Sequence, residues 1–311
     1  MKWSFSTSRV FLECPRKWYY REVFADGDSQ NTLRKEAFFL RQLSNLRAWR
    51  GKLVDQVISR LVIPILNRHE PLDQDGVLKY AEDLIQNQME FGKTKSYRKD
   101  TTSSFRTGPY YCAFFELEYG SVLSEESVQK YIQEINNSLK NLLNSNFIKQ
   151  VSEDGLRLVA QRTLKLRFVD SQICCTPDLI AFFKSSPPTV VDWKVETPHY
   201  KDHWLQLGLY GIVLSRIDPH KDFPAQSCDM LKDPGNIELV EFQLLHNKEH
   251  RYKITADDVV DVENYIYSTS SQISRFSNGD SLVDPHTIPC GRNAETCMNC
   301  NFRKLCWRLA A

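Results

Sequence analysis

The stretch TVVDWKVE, residues 189–196, decides how the chain is read. Apolar residues run up to Asp192, so a charged group closes a buried strand instead of standing on an open face. Asp192 and Lys194 are two apart, and in a strand such residues project from one face. Just upstream, SQICCTPDLIAFF (171–183) brings Pro177-Asp178 to a second strand or its bend, where Asp178 can converge with Asp192. Two carboxylates side by side repel unless a divalent cation holds them, and all-oxygen ligands select Mg²⁺ or Mn²⁺. A lysine one pleat away can orient or deprotonate a water, or stabilise negative charge on a phosphate in the transition state. The three residues point to metal-assisted hydrolysis of a phosphodiester.

Working outward, LRLVAQRTLKLRFV (156–169) alternates like a strand, so three strands are expected between residues 156 and 196. DHWLQLGLYGIVLSR (202–216) reads as a helix, on which Gln206 and Tyr210 are i and i+4 and share a face. IELVEFQLL (237–245) reads as a strand and ADDVVDVENYIYSTSSQISRF (256–276) as a long amphipathic helix. Before residue 150 the pattern is helical. Leu40, Leu43, Leu46, Trp49, Leu53, Val57 and Leu61 recur at helical spacing, and VLKYAEDLIQNQM (77–89) continues it. SEESVQKYIQEINNSLKNLL (124–143) opens at Ser124 with Glu125 and Glu126 near the positive end of the helix dipole. The polar run KTKSYRKDTTSSFRTG (93–108) is expected to be a loop. Within the early helix, Asp55 follows Gly51 in RGKLVDQVI and could reach the Asp178/Asp192 site. This order implies an α/β protein with a small mixed central sheet flanked by helices. The expected division is an N-terminal segment (1–24), a helical region (25–150), a core (151–285) and a C-terminal segment (286–311).

With 311 residues, 40 Lys+Arg against 39 Asp+Glu and 41% hydrophobic residues, the chain is neither collagenous, coiled-coil nor wholly disordered. Its start, MKWSFSTSRVFLECPRKW, has no apolar leader core, and no apolar run approaches the ~18 residues of a membrane span. A cytoplasmic protein with no membrane association is expected. Four of the nine cysteines, Cys290, Cys297, Cys300 and Cys306, crowd into one C-terminal stretch, which in a reducing compartment means metal more often than disulfides. Cys297, Cys300 and Cys306 lie within CMNCNFRKLC; the fourth ligand is either Cys290, for a local four-cysteine zinc site, or Cys14, which would tie the two chain ends together. Both ends are basic: Lys2, Arg9, Arg16, Lys17 and Arg21 at one, Arg292, Arg303, Lys304 and Arg308 at the other. If the two ends meet in space, they make a basic patch of the kind that attracts phosphates.

The set CPRKWYY (14–20), an acid after Gly on an early helix, PD then DxK, QxxxY, and a terminal C-x2-C-x5-C resembles the RecB-like branch of the PD-(D/E)XK nucleases. Within that branch the four-cysteine iron-sulfur members, such as CRISPR adaptation exonucleases and the AddB recombination nuclease, are most similar. The order and approximate spacing match over essentially the whole chain apart from residues 70–150.

The resemblance implies a restriction-endonuclease-like core and a Mg²⁺- or Mn²⁺-dependent deoxyribonuclease, an exonuclease preferring single-stranded ends, in repair, recombination or defence. Asp178, Asp192 and the carbonyl of Trp193 would hold the catalytic metal, with Asp55 in a position that is often histidine in these relatives. Lys194 would act on the attacking water, and Gln206 and Tyr210 would support the site and contact the DNA backbone. Cys14, Cys297, Cys300 and Cys306 would bind a 4Fe-4S cluster that staples the chain ends. Gln161 stands where a stronger site could carry another acid. DNA, single-stranded or with duplex ends, is the implied partner, with a helicase or integrase acting beside it. A single strand would thread between the helical region and the nuclease core, with Arg16 or Lys17 on phosphates and Trp18, Tyr19 and Tyr20 stacking on bases. Two other classes compete: a non-catalytic DNA-binding module that keeps the nuclease fold for grip, and a structural zinc protein.

Overall fold

The computed structural model describes residues 2–99, 102, 106, 108–195, 200–277, 282–291 and 293–307. In chain order its elements are β1 (Lys2–Trp3), α1 (Phe5–Glu13), α2 (Pro15–Tyr19), α3 (Thr32–Leu40), α4 (Leu46–Val57), α5 (Ile63–Asn67), α6 (Gln74–Lys93), α7 (Phe115–Glu118), α8 (Glu125–Leu143) and α9 (Asn146–Asp154). Five strands follow closely: β2 (Gly155–Ala160), β3 (Leu164–Phe168), β4 (Ser171–Cys175), β5 (Leu179–Phe183) and β6 (Thr189–Lys194). Then come α10 (Tyr200–Arg216), β7 (Glu238–Gln243), β8 (Lys248–Tyr252), α11 (Ala256–Ser277), α12 (Ala294–Met298) and α13 (Arg303–Trp307). This is the mixed α/β class expected from the sequence. Among the described residues, no helix is long and apolar enough to cross a membrane.

The chain forms two compact units, one made of Met1–Leu46, Asn87–Leu123 and Tyr265–Ala311, the other of Arg47–Gln86 and Ser124–Asn264. The second unit is built on a five-stranded sheet in the order β2-β5-β6-β7-β8. All neighbours are antiparallel except β6 and β7, which pair in parallel with Asp192 beside Glu241 and Lys194 beside Gln243. A parallel pair needs a crossover, and α10 lies within it. The central strands are buried on both faces, which explains their unbroken apolar runs: Leu179, Ile180, Ala181, Val190 and Val191 are all fully buried. Trp193 packs on the far face from Asp192, edge-on to Phe147 of α9 at 5.8 Å and tilted against Phe242 at 6.0 Å. At the β2 edge, Asn67 donates Nδ2 to the Leu158 carbonyl at 2.8 Å and accepts the Leu158 N–H at 2.9 Å, so its amide takes the place of a strand there.

The sequence pattern merges strands that are separate here. LRLVAQRTLKLRFV breaks at Gln161, whose φ of 51° turns the chain, so β2 joins the five-stranded sheet while β3 forms a hairpin with β4. SQICCTPDLIAFF breaks at Thr176-Pro177-Asp178, where Pro177 has no N–H to continue a ladder. The polar strand β8 carries no apolar alternation and is missed altogether. Ser124 does cap α8, its hydroxyl accepting the Ser127 N–H at 3.2 Å.

The first unit gathers aromatic residues around the ends of the chain. Trp3, Trp18, Tyr19, Tyr20 and Phe302 are all buried, and Tyr20 stacks on Phe302 at 5.4 Å. Its polar centre is Glu118, 6% exposed, which accepts from Arg98, Lys304 and the Tyr97 hydroxyl. Tyr97 and Arg98 fall in the run read as a loop, yet Tyr97 is fully buried and Arg98 also forks onto Glu36 at 2.9 and 3.0 Å. Asp100, Thr101, Ser103, Ser104, Phe105 and Thr107 of that run lie outside the described residues.

Candidate active site and cysteine cavity

In the second unit the β5–β6 register pairs Leu179 with Val191, which brings Asp178, one residue further out, opposite Asp192. Asp178 Oδ2 accepts the backbone N–H of Trp193 at 2.8 Å. On β6 the ammonium of Lys194 forms an ion pair with Asp192, 3% exposed, and donates to Gln206 Oε1 at 3.3 Å. Gln206 turns its Nε2 to Asp192 Oδ1 at 3.3 Å and to the Tyr210 hydroxyl at 2.5 Å. The i, i+4 face of α10 thus lies over the D-x-K strand, because the crossover that makes β6 and β7 parallel carries this helix back across them. Asp55 comes from α4, just before that helix opens into a π-helical stretch at Ile58–Val62. Gln161 ties it in, donating Nε2 to Asp55 Oδ1 at 2.7 Å and to Asp178 Oδ1 at 3.2 Å. Asp55, Asp178, Asp192, Lys194, Gln206 and Tyr210 are therefore brought together, and Trp193 contributes its backbone.

The electrostatics follow from this crowding. Desolvation, then the negative charges of Asp192 and Asp55, push Asp178 well above the usual carboxylate range. Asp55 is raised from 3.8 to about 6, by burial first and by the charge of Asp192, against a lowering hydrogen bond from Gln161. Burial works against the ammonium of Lys194, but Asp192, Asp178 and Glu241 together hold it above the ordinary lysine value. It stays charged. Burial and the charge of Asp192 raise Tyr210 well above an ordinary phenol, so its hydroxyl keeps its proton.

Three residues of this neighbourhood were not singled out from the sequence. Glu241, fully buried, accepts Gln243 Nε2 at 2.7 Å and pairs with His203 Nδ1 at 2.9 Å. The signal was present: Glu241 is an acid inside the apolar run IELVEFQLL, and His203 precedes Gln206 by three residues on one helix face.

Asp55, Asp178 and Asp192 offer only hard oxygens and resist simultaneous ionisation, which is the chemistry of a Mg²⁺ or Mn²⁺ site. Gln161 occupies lone pairs on two of them, and among the described residues no three His, Cys, Asp or Glu side chains are drawn together closely enough to hold a metal as they stand.

In the first unit Cys14, Cys290, Cys297, Cys300 and Cys306 all line one cavity of about 30 Å³. Backbone N–H groups of Gly291 and Lys17 point at Cys14 Sγ, at 3.1 and 3.4 Å, and that of Phe302 at Cys300 Sγ, at 3.4 Å. Such donors stabilise thiolate sulfur bound to a soft metal or cluster. A Cβ on Gly291 would meet the Glu13 carbonyl at 2.7 Å, so only glycine brings residues 290–291 this close to Cys14. All three nitrogens of Arg16 bond within the unit, to the carbonyls of Ile288 and His286 and to Cys306 Sγ. Lys17 pairs with Glu13 at 2.8 Å, and the rings of Trp18, Tyr19 and Tyr20 are buried. Arg292 and Arg308 lie outside the described residues.

The model of the PD-(D/E)XK nuclease superfamily matches residues 2–307. A comparison with curated proteins gives no match. Among solved structures, the crystal structure of SSO0001 aligns with 73% of this chain and 96% of its own at 13% identity and a TM-score of 0.31.

Proposed function

Because the chain belongs to the PD-(D/E)XK nuclease superfamily, we propose that it is a divalent-cation-dependent deoxyribonuclease that hydrolyses phosphodiester bonds from single-stranded ends of DNA. The observation that carries this reading is the charged Lys194, paired with Asp192 and bonded to Gln206 beside two further carboxylates. Mg²⁺ or Mn²⁺ would be held by Asp178, Asp192 and the Trp193 carbonyl, with Asp55 as an additional acid once Gln161 yields its hydrogen bonds. When bound, the cation supplies a Lewis acid and a water of lowered pKa. Lys194, holding its proton, orients the attacking water and balances charge on the phosphate oxygens; it is not the base. Gln206 keeps Lys194 and Asp192 in register, and the Tyr210 hydroxyl remains a donor for a phosphate oxygen.

In the other unit we assign a 4Fe-4S cluster to Cys14, Cys297, Cys300 and Cys306. The shared cavity and the N–H donors on Cys14 and Cys300 support it. Its role is structural, stapling the chain ends. Arg16 is bonded at every nitrogen, so Lys17, whose partner is Glu13, is the better placed of the two to meet a DNA phosphate. The expected setting is repair, recombination or defence, beside a helicase or integrase.

A second reading, a DNA-binding module that no longer cuts, is favoured by Gln161, whose amide sits on two of the acids. End-labelled single- and double-stranded DNA incubated with Mg²⁺, Mn²⁺ or EDTA, beside Lys194→Ala, separates the two. Cleavage that needs both metal and Lys194 supports the nuclease. Tight binding with no cleavage under any metal supports the module.

A further inference from the structure

We propose that the exposed face of the β3–β4 hairpin is a phosphate track for the single-stranded DNA that the nuclease site cuts, with Lys165 and Arg167 as its cations. The proposal deepens the nuclease reading and rests on it for the identity of the ligand.

The hairpin has two unlike faces. Its register pairs Leu164 with Cys175 and Leu166 with Ile173, and this side is turned inward: Leu164, Ile173 and Cys175 are buried, and both strands pack on α10. Strand alternation puts Lys165 and Arg167 on the other side, opposite Cys174 and Gln172. Thr163 and Thr176 complete that side at its base, their hydroxyls 3.2 Å apart. Thr163, Lys165, Arg167 and Gln172 are exposed. The face carries no acid; the one in the hairpin, Asp170, sits in the turn at the far end. Lys165 and Arg167 form no side-chain hydrogen bond or ion pair among the described residues, whereas the neighbouring Arg162 is tied to Asp222. Both ends of the hairpin stand at the candidate site. Gln161, two residues before Thr163, bonds Asp55 and Asp178 through Nε2 and the Asp178 carbonyl through its backbone N–H at 3.1 Å, and Thr176 precedes Asp178 by two. Residues on one strand face recur roughly every 6.6 Å, a step that successive phosphates of an extended single strand match. From Thr163 outward, Lys165 and then Arg167 therefore offer one cation per phosphate. The paired threonine hydroxyls use one of their two protons on each other, which leaves the second for a phosphate oxygen. Unneutralised cations and spare donors without an aromatic side chain grip a backbone and leave the bases unread, as an enzyme acting on any sequence requires.

The test uses the full-length protein and a fluorescein-labelled single-stranded oligonucleotide in EDTA, with binding followed by fluorescence anisotropy over a series of salt concentrations. The double variant Lys165→Gln/Arg167→Gln removes both cations from a solvent-facing surface and should leave the melting temperature unchanged. Lys130→Gln/Lys140→Gln removes the same charge from exposed positions of α8 in the same unit. We expect the hairpin variant to bind roughly tenfold more weakly, with the slope of log affinity against log salt reduced by about 1.4, at about 0.7 for each lost phosphate contact. The α8 variant should bind like wild type. Affinity and salt slope equal to wild type in the hairpin variant would overturn the proposal, as would equal losses in the two double variants, which mark a general effect of charge. Failure of the nuclease reading looks different. A wild-type protein that binds through Lys165 and Arg167 yet cuts nothing with Mg²⁺ or Mn²⁺ supports the track and removes the catalysis.

Discussion

Asp178 accepts the backbone N–H of Trp193 at 2.8 Å, so the carboxylate that precedes β5 is fastened to the strand that carries Asp192 and Lys194. The same residue therefore has a structural oxygen and a chemical one, and two substitutions separate them. Asp178→Asn keeps an acceptor for Trp193 and should leave the denaturation midpoint nearly unchanged while cleavage falls at least roughly 100-fold. Asp178→Ala should lose cleavage equally and about 1–2 kcal/mol of stability as well. Cleavage by the asparagine variant at the wild-type rate would remove Asp178 from the metal site.

The acid triad makes the metal-free protein sensitive to pH. Asp55 binds its proton more tightly in the folded chain, at about 6, than its ordinary 3.8. A carboxyl raised in this way contributes stability that is complete below about pH 4 and lost as pH rises through 6. In EDTA the melting temperature should therefore fall between pH 5 and pH 7.5. Mg²⁺ requires the ionised acids, so its stabilising effect should grow over the same interval. Differential scanning fluorimetry with and without Mg²⁺ reads both trends, and a flat EDTA profile would contradict the crowding of Asp55 with Asp192.

Glu118 behaves in the opposite sense. Burial alone would raise its carboxyl, but hydrogen bonds from Arg98, Lys304 and Tyr97 hold it at about 2 against an ordinary 4.5. Its contribution is complete above pH 4.5 and lost as pH falls toward 2. Glu118→Gln should cost roughly 3 kcal/mol at neutral pH, because Arg98 and Lys304 lose their shared anion. The variant should also melt less steeply on acidification than wild type. Chemical denaturation at pH 7 and pH 3.5 compares the two.

Five cysteines line the cavity, one more than the proposed cluster would use. Protein purified without oxygen should be brown, and Cys14→Ser should lose iron and the broad visible absorbance while Cys290→Ser keeps both. The reverse pattern would transfer the fourth ligand to Cys290, and colourless, zinc-containing wild-type protein would replace the cluster with zinc.

Much of this was legible before the fold. Strand alternation brings Asp192 and Lys194 to one face and PD at the neighbouring bend brings Asp178 to them, while periodicity gives Gln206 and Tyr210 only a shared helix face; joining all five was what the family resemblance implied. Glu241 and His203 could not be placed with them, because their meeting depends on β7 lying parallel beside β6, a pairing made by the crossover and not by any local pattern. Gln161 illustrates a different limit. Its left-handed φ of 51° ends one strand and starts another, while the alternation LRLVAQRTLKLRFV runs through it without a sign of the turn. Tyr97 and Arg98 were hidden by composition: in a polar run they look solvated, but Glu36 and Glu118 neutralise the arginine and allow burial.

The two ends of the five-stranded sheet are guarded in unlike ways. At β2 the Asn67 amide covers the Leu158 peptide, and at β8 the edge strand KEHRY is charged along most of its length, with Arg251 bonded to Glu238 and Glu249. A covered edge and a charged edge both resist the addition of a foreign strand, which is the usual first step of edge-to-edge aggregation. The protein should therefore stay dispersed at high concentration.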